Sequence, residues 1–139
     1  MTAKEFLSRI KPIERRLDSA IYKVSLYESM TERVTASMSD ENVGHTHNVS
    51  SQENNILCLI EARERVKALE LEYQMIVNEM LELFECISNA ESEKIMRYYY
   101  IKHHSVSDIS KMMHISRSTV YRRHDEALEK LEHFLSLKS

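Results

Sequence analysis

The stretch SVSDISKMMHISRSTVYRRH, residues 105–124, holds two amphipathic segments separated by a tight turn of three residues. Ser105 and Asp108 have the spacing of a capping box and open a short helix. Ser116 ends the turn and is a good N-cap for a last helix, which we expect to reach about Leu135. Two helices joined by so short a connection indicate a helix-turn-helix.

The polar residues at the start of the last helix follow from its geometry. If Val120 faces the core and each residue turns by about 100°, Ser118 and Arg122 point roughly 160° away from it. Acidic residues begin beyond these turns and would repel phosphate (Asp125, Glu126, Glu129 and Glu132). The helix therefore offers only its first two turns to a duplex, as recognition helices do when their early residues reach base edges.

The segment before residue 105 is predicted to supply the first helix of a three-helix module. The sequence SEKIMRYYYIK, residues 92–102, has helical spacing. In front of it, Ser88 and Asn89 can cap the end of one helix and start the next, and Ser88 with Glu91 fits a capping box. Three consecutive residues span about 200° of a helix, so one or two rings of the run 98–100 must pack in the core. In the second helix of the module, the residues expected to face inward are Ile109, Met112 and Met113.

Residues 1–88 are predicted to form a long antiparallel helical hairpin. Apolar or small residues recur with a 3.5-residue period over residues 6–38 and again over 59–87, which is typical of helices wound against a partner. The loop between them is expected at about residues 39–52. Further apolar residues widen the stripe, so we expect it to pack against something else as well (Ile21, Leu26, Ile56, Ile60, Leu71, Leu81 and Phe84).

Two features mark where the long helices are expected to begin. The ring of Pro12 would clash with the carbonyl of Ser8, so the first helix should start or kink at Pro12. Ser50 and Glu53 match a capping box for the second helix. We therefore expect two domains: residues 1–88 for oligomerisation or partner binding, and residues 89–139 as the helix-turn-helix.

Composition supports an all-α chain. The 139 residues include one Gly, one Pro and no Trp, whereas sheets need more turn residues. Cys58 and Cys86 lie in helical segments, a usage that fits free thiols in a reducing compartment. No apolar run approaches the roughly 20 residues that cross a bilayer, and the N-terminus lacks the apolar stretch of a signal peptide. We expect a cytoplasmic protein with no membrane contact.

The charge is unevenly distributed along the chain. Residues 1–90 carry 10 Lys and Arg against 15 Asp and Glu, whereas residues 91–139 carry 9 against 7. Five of the seven histidines also lie in the last third. If the protein binds a polyanion, the last third is therefore the part expected to bind it.

The stretch SVSDISKMMHISRSTVYRRHDEALEKL, residues 105–131, resembles region 4 of bacterial sigma-70 factors. The matching positions are Ser105, Asp108-Ile109-Ser110, Ser116-Arg117, Val120, Ala127-Leu128 and Leu131. The layout as a whole, a long acidic helical region followed by this module, resembles small phage-encoded late-gene regulators of the ArpU/RinA type. The resemblance implies a DNA-binding transcriptional regulator encoded by a phage or prophage.

Three departures from the region 4 pattern limit which properties of region 4 can be inferred for this chain. The turn position usually held by Gly is His114, which is acceptable because His is enriched at positive φ. Ser118 stands where sigma factors often have an acidic residue, and the next outward position is Arg122, so the base preference should differ. Nothing resembles the region that melts promoters, so we do not expect an independent sigma factor.

The resemblance and the geometry together identify candidate contacts. We expect Arg117, Ser118 and Arg122 to contact base edges, since Arg suits the O6/N7 pair of guanine. The residues expected to contact phosphates, which set register without reading sequence, are Thr119, Tyr121, Arg123 and Lys111. His103 and His104 are either a further phosphate contact or loop fillers. The alternative is a plain exposed helix on which Arg122 and Arg123 pair with the acidic residues that follow them.

The predicted function is sequence-specific DNA binding for transcription regulation, with double-stranded DNA as partner and a homodimer formed through the long helices. RNA polymerase is a further candidate partner. Two alternatives are an RNA polymerase- or sigma-binding adaptor without direct DNA contact, and a DNA-packaging protein of the small terminase kind. We expect no enzyme and no cofactor, because no phosphate loop, catalytic triad or convergent carboxylate pair is present. We also expect no metal, since His45 and His47 lack further ligands in spacing.

Overall fold

The structure is a computed structural model that describes the backbone of residues 2–40 and 45–138, and the side chains of residues 2–33 and 51–138. Its elements are α1 (Ala3–Ser8), α2 (Ile10–Asp40), α3 (His45–Glu85), α4 (Ala90–Met96), a π-helical turn (Arg97–Ile101), α5 (Val106–Met113) and α6 (Arg117–Lys138). The all-α class is thus confirmed, and the described ranges contain no strand. None of the described helices is long and apolar enough to span a membrane.

The chain begins with a short capped helix that the sequence analysis did not separate from α2. The Thr2 hydroxyl accepts a hydrogen bond from the Glu5 backbone at 3.1 Å, and the Glu5 carboxylate accepts one from the Thr2 backbone at 2.9 Å. α1 ends at Ser8, and α2 begins two residues before the expected start at Pro12. Pro12 therefore lies in the first turn of α2, where a backbone N–H has no partner within the helix.

The loop expected at about residues 39–52 is largely wrong. α2 continues to Asp40 and α3 already begins at His45; residues 41–44 lie outside the described residues. Residues 45–52 contain neither Gly nor Pro, and an existing helix extends at little cost once nucleated. Ser50 consequently lies inside α3 and is not its N-cap.

The capping box predicted at Ser88 and Glu91 is also wrong. Asn89 is the N-cap of α4, and its side-chain oxygen accepts a hydrogen bond from the Ser92 backbone at 3.0 Å. Ser88 has a φ of 62° and lies in the connection from α3. The cap moves by one residue because Asn satisfies the same helical donors as Ser does.

The described residues form two compact units, and the division differs from the expected boundary after residue 88. The hairpin unit comprises residues 13–73, and the terminal unit combines residues 2–12 with residues 74–138. In the terminal unit, α1 packs on α6, and the Ala3 backbone N–H donates a hydrogen bond to the Glu132 carboxylate. The buried side chains of the terminal unit are Ala3, Leu7, Ile10, Met80, Leu83, Phe84, Ile87, Ser92, Ile95, Met96, Ile109, Val120, Ala127 and Leu131.

The hairpin unit brings α2 and α3 together over a thinner core. The Arg63 guanidinium donates a hydrogen bond to the Glu28 carboxylate at 3.1 Å, which joins the two helices. The buried apolar side chains described in this unit are Ile13, Ala20, Leu59, Ala62 and Leu69. Much of the wide apolar stripe predicted from sequence remains exposed here (Ile21, Leu26, Ile56, Ile60 and Leu71).

Candidate nucleic-acid interface

The helix-turn-helix is built on a small apolar core in the terminal unit. Ile95 of α4, Ile109 of α5 and Val120 of α6 are fully buried against one another, and Val120 is only 2% exposed. The side chains packed around them are Tyr98, Val106, Met113 and Ile115. The core-facing position assigned to Val120 is therefore confirmed, and it orients the first turns of α6.

One inward-facing residue predicted for α5 is wrong. Ile109 and Met113 lie four residues apart on the buried face of α5. Met112 is 43% exposed, because it lies about 100° around the helix from Met113. With only eight residues, α5 buries one narrow face.

In the turn between α5 and α6, His114 has the left-handed backbone conformation that was expected for this position. This residue has φ 57° and ψ 42°, in the position where region 4 modules usually have Gly. The backbone N–H of Ile115 donates to the Ser110 carbonyl at 3.1 Å, and the Ser110 hydroxyl donates to the Ile115 carbonyl. The turn is therefore closed by Ser110 from both backbone and side chain, so His114 is held in place without a glycine.

Both helices of the motif have the predicted N-caps. The Ser105 hydroxyl accepts a hydrogen bond from the Asp108 backbone at 3.1 Å, and the Ser116 hydroxyl accepts one from the Thr119 backbone at 3.2 Å. The Ser116 hydroxyl also lies 3.1 Å from that of Ser118 and 2.8 Å from that of Thr119. Three hydroxyl groups thus meet at the beginning of α6.

The structure places the three predicted base-contacting residues on the exposed surface of α6. Arg117, Ser118 and Arg122 are all exposed, and the helical period places Ser118 and Arg122 on the side away from Val120. The Arg117 guanidinium donates a hydrogen bond to the Ser107 hydroxyl at 3.1 Å, which connects the start of α6 to the start of α5. Arg122 forms no ion pair with the side chains of residues 2–33 and 51–138.

The four predicted phosphate-contacting residues are in less uniform surroundings. Lys111 is exposed, and Tyr121 is 56% exposed. Thr119 is half-buried and belongs to the hydroxyl cluster at the beginning of α6. Arg123 pairs with two carboxylates. Lys111 and Tyr121 are therefore exposed, whereas Thr119 and Arg123 already have partners within the protein.

Arg123 joins two helices of the module. Its Nε lies 3.3 Å from the Glu91 carboxylate in α4, and its Nη1 lies 3.4 Å from the Glu126 carboxylate in α6. The Arg123 side chain is 30% exposed. The alternative that α6 arginines pair with acidic neighbours therefore holds for Arg123 with Glu126, and a phosphate would have to compete with both carboxylates.

Sequence reasoning missed a polar pair on the core side of α6. The Tyr100 hydroxyl lies 2.8 Å from Nε2 of His124, and the two rings are stacked with an interplanar angle of 19°. Burial raises the pKa of Tyr100 to about 12, and the neighbouring Tyr99 and Asp125 act in the same direction. The Tyr100 hydroxyl therefore stays protonated at neutral pH. On the other side of the imidazole ring, Nδ1 of His124 lies 3.3 Å from the Asp125 carboxylate.

A π-helical turn positions the tyrosines for this contact. The Lys102 backbone ends this turn by donating to the Arg97 carbonyl at 3.1 Å, and beyond it the His104 backbone donates to the Tyr98 carbonyl at 2.9 Å. The spacing over residues 92–102 predicted a regular helix and not this wider turn. The available signal was His124 itself, because a polar ring on the core side of α6 needs a partner and a run of tyrosines precedes it.

The described residues contain no group of three or more His, Cys, Asp or Glu side chains that could hold a metal ion. His45 and His47, the pair weighed as half of a metal site, have side chains outside the described residues.

One protein-family model matches the part of the chain that forms this candidate interface. Residues 89–133 match the family model of Sigma-70, region 4, from the N-cap of α4 into α6. The match covers less than half of the chain and includes every predicted contact residue. No curated protein and no solved structure matches the chain. Residues 89–133 are thus similar to region 4 of sigma-70 factors, a helix-turn-helix that is a DNA-binding regulatory module and not a catalytic one.

Proposed function

We propose that this protein is a sequence-specific DNA-binding transcriptional regulator that inserts the first two turns of α6 into the major groove. In this proposal, Arg117, Ser118 and Arg122 contact base edges. The residues that contact phosphates are Lys111, Thr119, Tyr121 and Arg123. The observation that supports the proposal is the exposed polar face of α6, which lies opposite the buried Val120.

The chemistry of this face suits a duplex. A guanidinium can donate two hydrogen bonds to O6 and N7 of one guanine, which distinguishes a G·C pair from the other three. Hydroxyl groups such as that of Ser118 donate to or accept from either kind of base. The N-terminus of α6 also carries the partial positive charge of the helix dipole, which attracts phosphate.

Acidic residues limit how far α6 can enter the groove. Asp125, Glu126 and Glu129 are exposed directly beyond the polar turns. Their carboxylates would repel phosphates on either side of the groove. The contact is therefore restricted to the beginning of the helix, as in other helix-turn-helix proteins.

A homodimer formed through the hairpin unit is part of the proposal. Apolar side chains of α2 and α3 remain exposed in that unit, and contiguous exposed apolar surface is typical of interaction sites. The large ones are Ile21, Tyr22, Leu26, Met30, Ile56, Leu57, Ile60 and Leu71. Two copies of the motif about 34 Å apart would read two half-sites on one face of the duplex.

The resemblance to phage late-gene regulators of the ArpU/RinA type supports a phage or prophage origin, action in the cytoplasm of the bacterial host and a contact with RNA polymerase. All three belong to the proposal and depend on DNA binding.

The test is a salt titration of binding to duplex DNA, with the operator found by footprinting on the genome that encodes the protein. Neutralised phosphates release counterions, so the affinity should fall by orders of magnitude between about 50 and 200 mM salt. No binding to any duplex at about 50 mM salt would contradict the proposal and favour an adaptor that contacts RNA polymerase or a sigma factor.

A further inference from the structure

The terminal unit has a groove between its N-terminal helix and the segment that leads into α5. We name it the basic groove and define it by Lys4, Ser8 and Lys11 on one side and His103 and His104 on the other. Its volume is about 480 Å³. Lys4 and Lys11 lie outside the residues that match sigma-70 region 4.

The charge of the basic groove is one-sided. Lys4 and Lys11 supply its positive charge, three histidines add imidazole nitrogens, and no Asp or Glu is among the lining residues of the described chain. Other grooves of the terminal unit include carboxylates: one has Glu126 and Glu129, and another has Glu79 and Glu82. The basic groove is therefore the one of these three whose lining favours an anion.

Both walls of the basic groove are fixed by contacts elsewhere in the unit. α1 is held by its capping box and by Leu7, whose side chain is fully buried. The opposite wall is fixed by the hydrogen bond between Tyr100 and His124 and by the bond from the His104 backbone to the Tyr98 carbonyl. The lysines thus extend from a rigid base, which lowers the entropy lost when they bind.

The basic groove adjoins a pocket that Tyr121 of α6 lines. Tyr99 and His124 line this groove, and they also line a smaller pocket whose other residues include Val120, Tyr121 and Asp125. Tyr121 is one of the residues proposed to contact phosphate. A duplex strand that passes Tyr121 is therefore close to the basic groove.

We infer that the basic groove binds backbone phosphates of the duplex beside the bases that α6 reads, and that Lys4 and Lys11 neutralise them. This inference rests on the proposed function. It makes α1 and the start of α2 part of the DNA-binding surface, whereas the sequence placed that surface in the last third of the chain.

The test compares two double variants of the full-length chain. K4Q/K11Q removes both lysine charges of the groove, and R16Q/K67Q removes two exposed charges of the hairpin unit as the matched control. The salt dependence of duplex binding should become shallower by about 1.8 for two lost phosphate contacts, with a several-fold loss of affinity at about 100 mM salt. The base preference should stay unchanged, because phosphate contacts carry no sequence information.

The charge-conserving variant K4R/K11R should keep the salt dependence of the unmodified chain. Equal salt dependence in K4Q/K11Q and R16Q/K67Q, with DNA binding otherwise intact, would overturn the inference and leave the proposed function standing. Absence of DNA binding by the unmodified chain would instead remove the proposed function. If K4Q/K11Q loses its helical circular dichroism, K4Q and K11Q are measured singly, each with an expected change of about 0.9.

Discussion

The terminal unit and the hairpin unit use apolar side chains in opposite ways. In the terminal unit, helices from both ends of the chain enclose a core in which Phe84, Met96 and Leu131 are fully buried. In the hairpin unit, two long helices bury only a thin row of apolar side chains, and residues such as Ile21 and Leu71 remain exposed. A closed core stabilises its own fold, whereas an open apolar stripe gains stability only when a partner covers it.

The largest expected effect is the loss of a core side chain in the terminal unit. Leu131→Ala should lower the free energy of unfolding by about 2–5 kcal/mol, because Leu131 is fully buried and its removal leaves a cavity. Urea denaturation followed by circular dichroism measures the change. The control is Leu71→Ala at an exposed position of α3, and equal losses in the two variants would break the contrast between the units.

The next largest effect is on the recognition of DNA by α6 and not on its folding. Arg122→Ala should weaken binding to the operator by about 1–3 kcal/mol and relax the preference at one base pair, because a bidentate contact is lost. Competition binding with single-base operator variants measures both quantities, and Arg16→Ala in the hairpin unit is the control. An unchanged preference would remove Arg122 from the set of base contacts.

Arg123→Ala should behave differently from Arg122→Ala. Because Arg123 joins Glu91 in α4 to Glu126 in α6, its loss should lower the free energy of unfolding by about 1 kcal/mol or less, as expected of half-exposed ion pairs. Thermal unfolding of both variants makes the comparison. Equal stability of the two would show that the ion pairs contribute nothing to the module.

Another expected effect, of similar size, concerns the exposed stripe of the hairpin unit. Leu26→Glu combined with Ile60→Glu should raise the dissociation constant of the proposed homodimer about tenfold, or about 1.4 kcal/mol, because charges replace apolar contacts. Sedimentation analysis over a range of concentrations measures it, and Asn54→Glu at an exposed polar position is the control. A monomer at every concentration before mutation would contradict the dimer.

The last expected effect is confined to high pH in the terminal unit and is absent at neutral pH. The pKa of Tyr100 is raised in the folded state to about 12 from its ordinary 10, so the folded chain holds this proton more tightly than the unfolded chain does. The stabilisation is complete below about pH 10 and is lost as the pH rises toward 12. Urea denaturation between pH 9 and 12 should show this decline, and Tyr100→Phe should show less of it. An identical decline in both chains would contradict the assignment to Tyr100.

Much of the helix-turn-helix could be predicted because its determinants are local. The caps at Ser105 and Ser116, the left-handed His114 and the buried Val120 each depend on residues within about one helical turn or on the helical period. The residues of the proposed reading face follow from the same period. Their exposure agrees with expectation, while their contacts to DNA stay a prediction.

The errors arose where a neighbour in space or a continuing helix decided the outcome. α3 begins at His45 although Ser50 and Glu53 have the pattern of a cap, because a local capping signal does not stop a helix that is already favourable. Arg123 had the same sequence signature as Arg122, yet Glu91, 32 residues away, engages it. The sequence pattern contains no information on that distance in space.

By itself, the sequence determined the all-α class, the position of the helix-turn-helix and the face of α6 that is exposed, since helical periodicity and capping act between residues a few positions apart. Only the tertiary structure decided that residues 2–12 fold with the C-terminal helices, that Tyr100 pairs with His124 and that Lys4 and Lys11 face two histidines across one groove. These contacts join residues far apart in the chain, and they form because apolar surfaces must be buried and buried polar atoms must be paired.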